Sequence, residues 1–337
     1  EQAYYEGTAL YQEGRYKEAE RKFSEAAAIS PRHVQSLFML GESIGHDVRR
    51  LREAENWYRK ALNTATGRDK FYAAKSRFSL GVLYEGMGQY DQSREQFLKL
   101  IDESPGFMGI AKVYNHMGVA DYHLDRYDEA LDNFKRALKL DPNLTEATFN
   151  MKSLQSQLAM LNVARYQERM GNEQNAVDQY NKAIEVFPDY VAAWYYLGVL
   201  YLKKADYAQA VRHLTRAKNL NPQYLGGDEL PYQIALALSG RRGEGDQEMA
   251  IKLLMGRPEY KDALLKAGMV RVDQGFIDQA EEIFTQVTEK SEQTKTLAEA
   301  WYQLSMIAKM KNDDQKSSAC LQKAASLAPN EARYKSK

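Results

Sequence analysis

The stretch from Val191 to Pro222, VAAWYYLGVLYLKKADYAQAVRHLTRAKNLNP, constrains this chain more than any other feature, because the remainder is variations on it. Its code is Trp194, Leu197, Gly198 and Tyr201, then Ala210, Leu214, Ala217 and Pro222. Pro188 stands 34 positions before Pro222. A recurring segment turns the fold question into how one unit stacks on the next. It also moves the functional question from a single pocket to a long surface.

Copies of the code run the length of the chain. The first carries Gly7, Tyr16, Ala19, Phe23, Ala26 and Pro31; the second Leu37, Leu40, Gly41, Ala54, Tyr58 and Ala61, with one residue inserted in its turn. The third has Leu80, Gly81, Tyr84, Tyr90, Phe97 and Pro105, and the fourth Tyr114, Gly118, Tyr127, Ala130, Phe134, Ala137 and Pro142. Ala164, Ala176, Tyr180, Ala183 and Pro188 mark a fifth; the sixth is the opening stretch. A poor seventh runs through Leu230 to Met255, an eighth has Leu264, Gly268, Ala280 and Phe284, and the last has Trp301, Leu304, Ser305, Leu321, Ala324 and Pro329. About nine units result.

Each unit reads as two helices. Trp194, Leu197 and Tyr201 recur at spacings of three and four, which puts them on one helical face, and Ala210, Leu214 and Ala217 do the same in a second helix. Gly198, Ala210 and Ala217 remove bulk where the two helices cross, and aromatic rings fill the space beside them. Proline ends the second helix, because residues before Pro31, Pro142 and Pro222 are pushed out of the helical region.

With this period, these small residues, paired aromatics and closing prolines, the sequence resembles the tetratricopeptide repeat family over nearly its whole length. The resemblance implies an all-α, right-handed superhelical solenoid of stacked antiparallel helix pairs, a single array over residues 1–337. Three departures stand out. Thr145 to Met170 has neither Gly nor Pro and keeps helical spacing, which predicts one lengthened helix or two short ones. It joins sub-arrays 1–142 and 145–337, and is read as a tolerated insertion or as a protruding contact helix. Thr64 to Asp69 extends a turn as a loop. Gly226-Gly227 and Ser239 to Asp246 interrupt the seventh unit, and 226–246 is a weaker hinge.

The chain has 337 residues with 46 basic and 46 acidic, which argues against general affinity for nucleic acid or anionic membrane. No apolar run reaches the ~20 residues of a membrane span, and membrane insertion is not expected. Glu1 leads almost at once into helical periodicity, so no signal peptide is expected and the chain reads as a mature or trimmed form. Cys320 is the lone cysteine, which suits cytosol or periplasm equally. No HExxH, phosphate loop or GxSxG elbow occurs. His116 and His123 are about two helical turns apart and straddle rather than clasp an ion. Cys320 reads as an inert thiol, and Asn143-Leu144-Thr145 as a chance glycosylation pattern. No enzyme, cofactor or metal is expected.

In the resembled family the first helix of each unit lines a concave groove. Its fifth position falls here on Tyr4, Phe38, Phe78, Asn115, Leu161, Tyr195, Leu265 and Tyr302, a largely apolar row expected to be wet. Lys75, Lys112, Tyr122, Arg165 and Lys203 add polarity. Some family members clamp acidic chaperone tails with Lys and Asn; here Lys75 is accompanied by Phe38 and Phe78, so that set is incomplete. The leading expectation is a scaffold or adaptor that holds an extended peptide or partner helix during assembly of a larger complex. Self-association through terminal units, the long helix or the tail Glu331–Lys337 is the second reading, giving a homo-oligomer. The targeting or regulatory arm of a larger enzyme is the third, and RNA binding is disfavoured by the zero net charge.

Overall fold

The computed structural model describes residues 1–334. Among them are eighteen α-helices, three short 3-10 turns and no strand. The helices form nine antiparallel pairs. These are α1 (Gln2–Gln12) with α2 (Tyr16–Ile29), α3 (Val34–Gly45) with α4 (Leu51–Thr64), α5 (Lys70–Gly86) with α6 (Tyr90–Glu103), and α7 (Ile110–His123) with α8 (Tyr127–Leu140). The long α9 (Thr145–Arg169) leads into α10 (Glu173–Val186). Then come α11 (Val191–Lys203) with α12 (Tyr207–Leu220), α13 (Glu229–Arg241) with α14 (Asp246–Met255), α15 (Ala263–Asp273) with α16 (Ile277–Lys290), and α17 (Thr294–Met310) with α18 (Asp314–Leu327).

The crossing within each pair depends on the small residue of its first helix. A methyl on Gly118 would lie 2.5 Å from the Phe134 ring, and one on Gly198 would lie 2.7 Å from Leu214 Cγ and 3.1 Å from its backbone nitrogen. The turn inside most pairs uses one left-handed residue. It is Gly14, Gly88, Gly171 or Gly275 in four pairs, but Asp125, Ala205 and Asn312 elsewhere. The next amide then reaches back five residues, as in Arg126 N to Asp121 O at 2.8 Å and Asp206 N to Tyr201 O at 3.0 Å. That closure satisfies carbonyls left bare at a helix end. Second helices stop where proline follows: Ser30, Asp141 and Asn221 all leave the helical region.

Two compact bodies divide the chain, Glu1–Leu158 and a second from Ala159 onward, and the division falls inside α9. In the first body the N-terminal half of α9 closes over α8. Leu144 and Ala147 pack with Ala137, and Leu154 packs with Ala130 and Phe134. In the second body the C-terminal half pairs with α10, where Tyr180 Oη donates to Glu168 at 3.1 Å. The 25-residue α9 is thus one helix, of the two arrangements its sequence allows.

The seventh pair is more regular than its sequence suggests. Ser239, Gly240 and Arg241 are helical, not part of a loop. Gly240 is a packing glycine, since the Tyr207 ring occupies the space a methyl would need. Left-handed Arg242 and Gly245 make the turn into α14, and Leu225, Gly226 and Gly227 have positive φ in the turn before α13. Residues 65–69 form the expected loop. At the end of the described chain, Tyr334 is buried against α17 and donates to Glu299 at 2.9 Å. Lys335–Lys337 of the expected docking tail lie outside the described residues.

Candidate functional site on the first helices

Polar bridges between successive pairs recur near the repeat period. Asn150 donates to Asn115 at 3.0 Å, Tyr122 to Gln157 at 3.0 Å, and Tyr195 to Glu229 at 2.9 Å. Phe38, Asn115, Leu161, Tyr195 and Leu265 are buried, contrary to the wet row expected from the sequence. The fifth-position side chain leans onto the following pair: the Phe38 ring is 5.8 Å from Tyr72, and Tyr195 is 5.4 Å from Tyr224. Tyr4, Phe78 and Tyr302 are half-buried.

In the second body the expected groove residues satisfy one another. Arg165 lies 4.8 Å over the Tyr196 ring, and Lys203 pairs with Glu168. Tyr195, Gln233, Tyr260 and Lys261 all donate to buried Glu229. Burial pushes that carboxyl up, but these four donors outweigh it and hold it down at about 2. Burial, with the Glu229 carboxylate beside it, pushes the Tyr195 hydroxyl above the usual tyrosine range. The Tyr302 ring packs at a tilt against Tyr334 with centroids 5.2 Å apart, and the Arg333 guanidinium lies 5.6 Å over its ring.

The first body is different. There α5, α7 and the N-terminal half of α9 line a shallow trough of about 450 Å³, walled by Glu85, Asn115, His116, Val119, Glu146, Phe149 and Asn150. Phe149 is 72% exposed in it. His116 Nδ1 is 3.0 Å from Glu85 Oε2, and Phe78 packs on the His116 ring at 5.6 Å. Lys112 is exposed one turn before Asn115. Hydrogen bonds from its own backbone N–H and from Thr145 hold Glu146 below its ordinary range. Farther along, Lys75 sits 4.8 Å over Phe71 and 5.8 Å over Phe38. Tyr4 Oη is 3.5 Å from Tyr72 Oη, and burial pushes Tyr4 up to about 12. The trough thus sets apolar surface at Phe149 and Val119 beside paired amides at Asn115 and Asn150 and charges of both signs.

Sequence reasoning brought Lys75, Phe78, Lys112, Asn115 and Tyr122 to this body and missed Phe149. Registering the fifth repeat on Ala164 selected Leu161 instead, which is buried. The available signal was the closing proline. Phe38, Phe149 and Tyr195 each follow a proline by seven residues, those prolines being Pro31, Pro142 and Pro188.

Other residues weighed for chemistry have structural partners. His123 stacks on Tyr90 at 4.2 Å, and Cys320 is buried, which pushes its thiol up. Among the described residues no helix is long and apolar enough to cross a membrane.

Tetratricopeptide repeat models match residues 1–33 and 111–144, 74–107 and 298–331, 158–190, and 179–212. Tetratricopeptide repeat protein 6 of Homo sapiens is 25% identical over 215 residues, which is 62% of this chain and 36% of that protein. Anaphase-promoting complex subunit 3 of Schizosaccharomyces pombe is 30% identical over 195 residues, 51% of this chain and 28% of that one. The chain therefore spans about a third of the length of these curated relatives. Among solved structures, the P58(IPK) TPR domain shares the fold at a TM-score of 0.51 and 15% identity, over 89% of this chain and 85% of that one. With nine helix pairs built on one packing code and six segments matched by its models, the chain belongs to the tetratricopeptide repeat family.

Proposed function

We propose that the trough in the first body holds an extended segment of a partner protein, and that the chain serves as an adaptor in assembling a larger complex. Tetratricopeptide repeat proteins generally mediate protein–protein interactions, and the fold is typically a non-catalytic scaffold. The observation that carries the proposal is Phe149, a large aromatic left 72% exposed beside the Asn115–Asn150 amide pair. Aromatic anchors flanked by hydrogen-bonding groups dominate protein interfaces.

The test places a photo-crosslinking amino acid at Val82, on the same face of α5, and captures partners from the native host. Crosslinks that map to one extended segment, lost in the Phe149→Ala, Lys112→Glu double variant at unchanged melting temperature, are expected. Undiminished capture by that folded variant would overturn the proposal. Tyr195→Ala is unsuited to the purpose, because it removes a donor from buried Glu229 and so unsettles the fold.

A further inference from the structure

Successive helix pairs are joined by a repeated contact between two rings. One ring stands at the fifth position of a first helix, the other at or just before the start of the next first helix. In the first body Tyr4 meets His33 with ring centroids 5.2 Å apart, Phe38 meets Tyr72 at 5.8 Å, and Phe78 meets Phe107 at 5.9 Å. In the second body Tyr195 meets Tyr224 at 5.4 Å, and Tyr232 of α13 meets Tyr260 at 5.6 Å. Tyr302 meets Tyr334, just past the last pair, at 5.2 Å. Where the fifth position is not aromatic, other groups are at hand. Asn115 receives the Asn150 amide, and the approach to α11 after Leu161 carries Phe187 and Tyr190.

The seam between α15 and α17 has neither ring. Its fifth position is Leu265, and the approach to α17, residues 290–296, holds no aromatic residue. A cleft of about 370 Å³ opens there. Buried Leu264, Leu265, Val287 and Thr296 line it, and exposed Lys290 and Gln293 border it. It runs from the fifth position to the approach segment, the interval that paired rings occupy in the other seams. Charges of both signs surround it, so they favour no net charge in what enters.

We infer that this cleft binds an aromatic side chain of a partner polypeptide, seated on Leu265 where the other seams supply rings from within the chain. The filled seams set its chemistry: a flat, uncharged ring, packed against aliphatic groups and entering from solvent past Lys290 and Gln293. The cleft lies wholly within the second body, so the inference does not rest on the trough of the first.

The test is an NMR titration of the full chain, with isotope-labelled Leu and Val methyl groups, by N-acetylphenylalaninamide and, in parallel, by N-acetylleucinamide. The first is expected to give saturable shifts at Leu264, Leu265 and Val287, and the second to bind about fivefold more weakly. Leu265→Tyr supplies a ring from the chain itself. It is expected to melt no lower than wild type and to lose the shifts at Leu264 and Val287. No saturable shift, equal response to the two amides, or shifts confined to Val119 in the trough would overturn the inference, and these readings need no variant. So would a Leu265→Tyr chain that melts lower, because the cleft would then not take a ring, or one that keeps the binding.

Discussion

At the scale of single residues, the repeat code is a set of steric permissions. Gly198 faces the Leu214 side chain and its backbone nitrogen, and backbone cannot yield. Gly198→Leu is expected to cost about 1–3 kcal/mol by overpacking. Gly86 ends α5 with nothing near its missing methyl, so Gly86→Ala is expected to stabilise by about 0.5 kcal/mol through helix propensity and chain entropy. Urea titrations of both variants check the contrast; equal effects would mean that glycine position carries no packing information.

His213 shows a second residue-scale effect. It is buried beside Trp194 and Tyr201, with rings at 5.4 and 5.3 Å, and burial lowers its pKa from 6.5 to about 4. Between those two pH values the unfolded chain takes up a proton that the native state refuses. Stability is therefore expected to fall as pH drops from about 6.5 to about 4 and to level off below, by at most about 3 kcal/mol. A His213→Phe variant should lack this part of the pH dependence in denaturant titrations; an unchanged slope would contradict it.

At the scale of elements, α9 carries two repeat registers in one helix. Its N-terminal half counts from Thr145 and seals α8, while its C-terminal half counts from Ala164 and pairs with α10. Two apolar residues on this helix should then respond oppositely to truncation. Leu154 is buried with Ala130 and Phe134, so Leu154→Ala is expected to cost about 2–4 kcal/mol. Val163 is exposed, so Val163→Ala is expected to stay within about 0.5 kcal/mol of wild type. Thermal melts of the pair decide it. The absence of Gly and Pro between Thr145 and Met170 made the helix legible; the shift of register did not show. A change of register leaves apolar residues at helical spacing, and spacing is all that periodicity reports.

At the scale of the whole molecule, stability resides in seams between neighbouring pairs, because no pair buries its apolar face alone. The seams are lined by small and aliphatic side chains and fastened at intervals by groups about one repeat apart, such as Tyr195 with Glu229 and Lys204 with Glu173. The pairing of helices, the nine repeats and the stops at proline were all legible, since each follows from local sterics and from a period that the chain states many times over. The exposure of the inner row was not. Phe38 and Tyr195 carry the same residue types as an open binding row would, and only the approach of Tyr72 and Tyr224 from the next pair buries them. Nor was Gly240 legible as a packing residue, because the ring that covers it, Tyr207, comes from the previous pair.

The sequence by itself determined the unit: two amphipathic helices, a small residue at their crossing, a turn and a proline stop. All of these are contacts within about 34 residues of one another. Tertiary structure decided which copies of the code remain open. Phe149 is uncovered and Tyr195 buried, though both stand at the same position of the repeat. Exposure is a property of the neighbouring unit as much as of the residue, and a repeat read one copy at a time carries no record of its neighbour.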